Sequence, residues 1–190
     1  SLIVLETVAN PTLRLTSVRE VVRQAGTVPV LVDSTFATPI LQSPLELGAT
    51  MVMHSATKYI GGHGDAMGGI VAGAADWMKD VRAIRAATGA VLHPQAAYTL
   101  HRGLQTLGAR VRVAQANATQ LAFQLRDNPF IESVYFPGFR DCDPGRLVGE
   151  ELRGPGAMLG FTVRGGFTAA SAIMKFVRLC TPAVSLGSTD

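Results

Sequence analysis

The stretch VDSTFATPILQSPLELGATMVMHSATKYIGGHGDAMGGIV, residues 32–71, decides how this chain is read. VPVLVD, ending at Asp33, and TMVMH, ending at His54, are short and apolar, and each runs straight into small polar residues. GGIVAG, a little further on, is a third such run. Strands that are apolar on both faces are strands covered on both faces, which is the pattern of a buried, parallel sheet. LQSPLELG, between the first two, reads as a short helix.

The neighbouring segments fit the same plan. Leu2–Leu5 reads as a strand, and the Asn10-Pro11 pair marks the loop after it. TSVREVVRQAG predicts a helix in which Ser17 and Glu20 form a capping box. Its Val18, Val21, Val22 and Ala25 make one apolar stripe, and Gly26 is the stop. Asp76 is placed to cap a helix through WMKDVRAIRAATG. Strands alternating with helices give the α/β class, with a mostly parallel central sheet and helices on both faces.

After residue 93 the pattern changes. PQAAYTLHRGLQTLGARVRVAQANATQLAFQLRDNP is one long helical region, with Gly103 or Gly108 as places for a kink. IESVYFPG (strand), RLVGEELRG (short helix), AMLGFTVRG (strand) and FTAASAIMKFVRLC (amphipathic helix) follow. We expect residues 1–115 to be part of a large domain and residues 116–190 part of a smaller α/β domain. The chain opens and closes on apolar runs, so an internal piece of a longer protein is expected.

Composition excludes several functions. With 47% hydrophobic and 16% charged residues over 190 positions, the chain is that of a well-buried globular protein. A net charge of +3 with scattered basic residues gives no nucleic-acid surface; RAIRAATG is the solvated face of a helix. Cys142 and Cys180 stand far apart without metal-ligand spacing, and the four histidines show neither HxxxH nor HExxH. A reducing cytoplasm suits such cysteine usage. No apolar run approaches the 18 residues of a membrane span.

In open α/β sheets, ligands bind beyond the carboxyl ends of the strands. Three polar sets fall there: ETVAN with Asn10, then Asp33-Ser34-Thr35, then His54-Ser55-Ala56-Thr57-Lys58. Each alone has an ordinary reading as a turn residue, a helix cap or a surface lysine. GGHGDAMGG alone is a tight loop, since neither GxxxxGK[ST] nor GxGxxG is present. Together, a carboxylate, hydroxyls and an amine on one rim suit a phosphorylated, nitrogen-containing cofactor.

Residues 32–71 closely resemble the signature region of the cysteine/methionine-metabolism family of pyridoxal-phosphate enzymes, of fold type I. ETVANPTL resembles the family's E-x-P-x-N-P-T loop, HRGLQTL its long-helix motif, and PAVSLGSTD its substrate-carboxylate loop. The resemblance implies pyridoxal 5'-phosphate held by Lys58 as a Schiff base, with Ser55 and Thr57 on its phosphate. Asp33 would face the pyridine nitrogen, Thr35 would be a further cofactor-binding residue, and Asn10 would lie near the ring oxygen. Val184 and Ser185 would position the substrate carboxylate. A carboxylate ~4 Å from a pyridinium gains about 4 kcal/mol at an effective dielectric of 20, which keeps the ring an electron sink.

The implied activity is γ-elimination on a sulfur amino acid, of the methionine or cystathionine γ-lyase type, giving 2-oxobutyrate, ammonia and a thiol. The alternative is γ-replacement, as in cystathionine γ-synthase or O-acylhomoserine sulfhydrylase. A more remote reading is a non-catalytic remnant that only forms an oligomer. FVRLCTPAVSLGSTD looks nearer to the lyases. The resemblance further implies a homotetramer, a dimer of dimers whose sites share residues across the interface. Ser34 stands where the family usually has asparagine, and Val8 where proline is usual. The family's amino-terminal phosphate clamp and its carboxy-terminal arginine are not in this sequence, so the chain alone is expected to be an incomplete site.

Overall fold

The computed structural model describes residues 1–189. Three strands, β1 (Ile3–Glu6), β2 (Val30–Asp33) and β3 (Met51–Ser55), run parallel in chain order. Glu6 pairs with Asp33 and Asp33 with Met53, so β1 and β2 end level and β3 runs two residues further at the same edge. On one face Val30 and Val32 are buried, and α1 (Val18–Ala25) covers them through Val18. A sheet with helices on it, strands in parallel, is the architecture expected.

β4 (Gly69–Gly73) departs from strict parallelism by running antiparallel to β3, with Ser55 opposite Gly69 and Met51 opposite Gly73. A parallel return needs a crossover to the far end of the sheet. Residues 56–68 are instead spent on turns at the carboxyl end, so the chain re-enters where it left.

The helix expected over LQSPLELG also moves. α2 is one turn, Thr38–Leu41, and residues 43–48 form successive turns such as Glu46 N–H to Ser43 O at 3.0 Å. Pro44 disfavours helical backbone at Ser43, which stops α2 before that segment. Asp76 does not cap α3 (Ala75–Thr88): it lies in the first turn, after Ala74 at the cap position. There it still faces the positive end of the helix dipole.

α1 is capped by half of the expected box. Ser17 Oγ accepts from Glu20 N–H at 3.1 Å, but the Glu20 carboxylate turns outward to Arg23 and Gln24. The bond from Arg23, then that from Gln24, holds this carboxyl down at about 2. Buried Glu151 takes the vacant role: it accepts from the Ser17 hydroxyl at 2.6 Å and from Val18 N–H at 2.8 Å. A carboxylate there satisfies orphan donors and the dipole together.

α4 (Pro94–Arg126) is a single helix of 33 residues with no break at Gly103 or Gly108. Its buried positions Leu100, Gly103, Leu107 and Val111 follow the helical period and pack on Ala56, Tyr59 and Ile60. Burying a side chain such as Leu107 stabilises by roughly 1.5–3 kcal/mol. Its second half packs on β5 (Ile131–Tyr135), which pairs antiparallel with β6 (Gly160–Val163). The expected short helix over RLVGEELRG is only a turn, α5 (Leu147–Glu150), since Val148 is extended and Gly149 has φ 102°. α6 (Gly166–Phe176) follows β6.

Candidate active site

The carboxyl ends of β2 and β3 are joined through one hydroxyl. Asp33 Oδ1 accepts from the Thr35 hydroxyl at 2.6 Å and from Thr35 N–H at 3.0 Å. The same Thr35 oxygen accepts from Ser55 N–H at 2.8 Å. Asp33 is thus held by Oδ1 alone, and no bond to Oδ2 occurs among the described residues. A half-buried carboxylate with one oxygen anchored and one open can receive a charged N–H without reorganising.

Beyond Ser55 the chain coils into a turn. Lys58 N–H donates to Ser55 O at 3.2 Å, Gly61 N–H to Ala56 O at 2.8 Å and Gly62 N–H to Lys58 O at 2.8 Å. Tyr59 and Ile60 are buried beneath it, and burial pushes the Tyr59 phenol up to about 12. Lys58 stays partly open on the outer side. Its Nζ donates to Ser185 Oγ at 2.9 Å, which brings together two residues 127 positions apart.

The segment carrying Ser185 is seated on the Lys58 turn by backbone. Gly187 has φ 85°, and a Cβ there would fall 2.8 Å from Tyr59 N. Thr189 N–H donates to Gly62 O at 3.0 Å, and Leu186 packs on the core below. The loop resembling a substrate-carboxylate loop includes Asp190, which lies outside the described residues.

The other expected residues are placed as follows. The Ser55 hydroxyl is partly exposed and without a protein partner among the described residues. The Thr57 hydroxyl accepts from Gly68 N–H at 3.0 Å, tying the turn to the entry of β4. Asn10 is exposed on the loop after β1, where its N–H donates to Glu6 Oε2 at 3.0 Å. Among the described residues no hydrogen bond joins it to the other seven expected site residues. Val184 is fully exposed beside Ser185.

Sequence reasoning passed over Arg110. Its guanidinium, from α4, donates to Tyr59 O at 2.7 Å and Ile60 O at 3.3 Å, the carbonyls just past Lys58. The signal was available: Gly103, Leu107 and Arg110 lie at i, i+4 and i+7 on one helical face.

A family profile described as "Cys/Met metabolism PLP-dependent enzyme" matches residues 1–190. The chain belongs to that family. Among curated relatives, L-methionine gamma-lyase of Brevibacterium sandarakinum is 52% identical over 189 residues, covering 100% of this chain and 48% of the relative. L-methionine gamma-lyase of Streptomyces avermitilis is 47% identical, with 100% and 41% covered.

Among solved structures, cystathionine gamma synthase from Xanthomonas oryzae pv. oryzae, in complex with aminoacrylate and cysteine, superposes with a TM-score of 0.96. The identity is 39%, over 100% of this chain and 50% of that one. The methionine gamma lyase CalE6 from Micromonospora echinospora gives 0.95 at 38% identity, over 99% and 52%. The chain therefore spans about half the length of the relatives it matches.

The donor set fits the family's cofactor. A carboxylate oxygen, a hydroxyl and an amine held by a single hydrogen bond all stand open at one end of the sheet.

Proposed function

We propose that this chain supplies the lysine-bearing part of a pyridoxal-phosphate enzyme that carries out γ-elimination on a sulfur amino acid. Its products are 2-oxobutyrate, ammonia and a thiol, as for a methionine or cystathionine γ-lyase. The observation that carries the reading is the Lys58 amine held at 2.9 Å by Ser185, on the same rim as the open oxygen of Asp33. Pyridoxal phosphate, when bound, supplies an aldehyde for amines and a ring that draws electrons from the substrate α-carbon.

Each residue then has a task. Lys58 Nζ would hold the cofactor and, with its amine free, would take the substrate α-proton and help move a β-proton as the γ-substituent leaves as the thiol. Asp33 Oδ2 would accept the proton of the ring nitrogen, with Thr35 keeping Oδ1 from turning. Ser55 donates its hydroxyl to the phosphate. Thr57, whose hydroxyl accepts from Gly68 N–H at 3.0 Å and donates to Gly68 O at 3.3 Å, would turn its proton from that carbonyl to the phosphate. Asn10, on the loop after β1, would meet the ring oxygen. Ser185 and the Val184 backbone position the substrate carboxylate.

A second reading, γ-replacement, is favoured by the likeness to a cystathionine gamma synthase at a TM-score of 0.96. The two separate on L-methionine given alone to the complete natural polypeptide loaded with pyridoxal phosphate. Release of 2-oxobutyrate that disappears in Lys58→Ala supports the lyase. An intact cofactor spectrum with no 2-oxobutyrate from methionine shifts the reading to cystathionine, or to O-acylhomoserine with a thiol. A Lys58→Ala variant whose cofactor absorbance equals the wild type would favour the non-catalytic alternative.

We place residues 1–115 in a large cofactor domain and residues 116–190 in a smaller one, on the support of two separate sheets bridged by α4. A homo-oligomer, a dimer of dimers sharing sites, is proposed from the family and from apolar side chains left in solvent on α4, such as Tyr98 and Phe123. Light scattering on the complete polypeptide tests it. No helix among the described residues is long and apolar enough to cross a membrane. We propose a cytoplasmic location, which cell fractionation tests.

A further inference from the structure

We propose that Arg110 is a positioning residue for Lys58: by capping the turn that carries the lysine, it sets where the amine is presented. The inference rests on the reading of Lys58 as the cofactor-bearing lysine.

A single helical turn leaves its last carbonyls without partners. In the turn after Ser55 the carbonyls of Ser55, Ala56 and Lys58 are used by N–H groups within the turn. Those of Tyr59 and Ile60 point instead at α4, where Arg110 meets both. The remainder of its fork is bound within its own helix, Nη2 to Gly103 O at 2.7 Å and Nε to Thr106 Oγ1 at 3.0 Å. Four of the five guanidinium N–H donors are thereby committed, so the group cannot pivot without losing several bonds together.

Steric evidence agrees that this contact is built. A Cβ on Gly62 would fall onto the guanidinium, and a Cβ on Gly103 would fall onto the Gly61 and Ile60 carbonyl oxygens. Both backbones are stripped of side chains at the places where turn and helix close on Arg110. Among the described residues no carboxylate pairs with Arg110, and burial pulls the guanidinium below its ordinary value. A cation kept half-buried on three backbone carbonyls and one hydroxyl, with no carboxylate among the described residues, is held for the geometry it enforces. The Tyr59 carbonyl it grips belongs to the residue next to Lys58, so a shift in the clamp reaches the lysine through a single residue.

The test uses the complete natural polypeptide with pyridoxal phosphate at saturating concentration, well below the melting temperature of every variant. Two readouts are the visible circular dichroism of bound cofactor and the rate of borohydride trapping, with the labelled lysine mapped by peptide analysis. In Arg110→Gln, we expect trapping slowed about tenfold and the dichroism reduced, because displacing a reacting group by about 1 Å costs rates of that order or more. Label should still map to Lys58. Arg110→Lys, which keeps the charge and not the fork, should recover only part of both signals.

A purely structural role would lower the melting temperature while leaving trapping and dichroism at wild-type values, and that result overturns the proposal. If Arg110→Gln does not fold, wild-type trapping in Arg110→Lys overturns it equally. Label absent from Lys58 in the wild type would instead overturn the underlying reading of the lysine.

Discussion

Lys58 Nζ donates to Ser185 Oγ at 2.9 Å, linking the turn after β3 to a segment 127 residues further along the chain. The serine is exposed, so its hydroxyl adds little to folding. Its value is to hold the amine at one place; in the proposed function the hydroxyl, once the amine moves away, is free to meet the substrate carboxylate. In the complete polypeptide, Ser185→Ala should leave cofactor absorbance unchanged and raise KM for the amino acid about tenfold. That is the weight of one hydrogen bond to a charged group. Steady-state kinetics with a cofactor titration check it; a fall in cofactor affinity with KM unaltered would reverse the assignment.

Thr35 ties Asp33 to Ser55, and its methyl group does none of that work. Thr35→Val keeps the shape, removes the hydroxyl and leaves Ser55 N–H unpaired in a half-buried place. The expected loss is about 1–3 kcal/mol of stability, and Asp33 is freed to turn away from where the proposed function puts the ring nitrogen. Thr35→Ser should restore most of both. Urea unfolding and cofactor affinity, measured on the same three proteins, separate the structural from the binding effect.

Much of this arrangement is legible in the sequence because it is local. VPVLVD and TMVMH announce strands by their own composition, and polar residues directly after them must lie at strand ends. The direction of β4 is not local: it depends on where residues 56–68 go, and glycine-rich turns hide that. The kink expected at Gly103 is absent for a related reason. The glycine serves close packing against Gly61 and Ile60, and helix propensity alone cannot distinguish a notch from a hinge. The Ser17–Glu20 box was half right because Glu151, more than 130 residues away, reaches α1 and frees Glu20 for Arg23. Ser185 was placed near the site only through family resemblance, since nothing in VSLG by itself points to a lysine 127 residues back.

His54 gives folding stability a dependence on pH. It is 6% exposed, its Nδ1 has no partner, and desolvation lowers its pKa despite the opposing pull of the Ser34 backbone and Asp33. In the unfolded chain a histidine titrates near 6.5. Below that value the unfolded state binds a proton that the folded state resists, so stability present above about pH 6.5 is lost as pH falls. Each pH unit costs at most about 1.4 kcal/mol from this one group. His54→Gln should therefore flatten the acid branch of a urea-midpoint profile between about pH 7.5 and 5.5. A mutant profile parallel to the wild type would show that His54 is not the group responsible.

Gly103 and Gly108 form a matched pair on α4 with opposite expected outcomes. Glycine to alanine inside a helix gains about 1 kcal/mol from propensity at either position. At Gly103 the new methyl meets the Gly61 and Ile60 carbonyl oxygens, which are backbone and cannot swing aside. Overpacking of that kind costs about 1–3 kcal/mol or more, so the variant should be destabilised on balance. At Gly108 the nearest atoms are the end of the Arg112 side chain at 3.3 Å and Ile40 Cδ1 at 3.6 Å, both able to yield. Gly108→Ala should be neutral or more stable. Because the Gly103 contact lies under the turn that carries Lys58, Gly103→Ala should also weaken cofactor binding, and Gly108→Ala should not. Thermal unfolding of both variants with and without pyridoxal phosphate decides it: equal melting temperatures would mean that the helix and the Lys58 turn are not packed backbone to backbone.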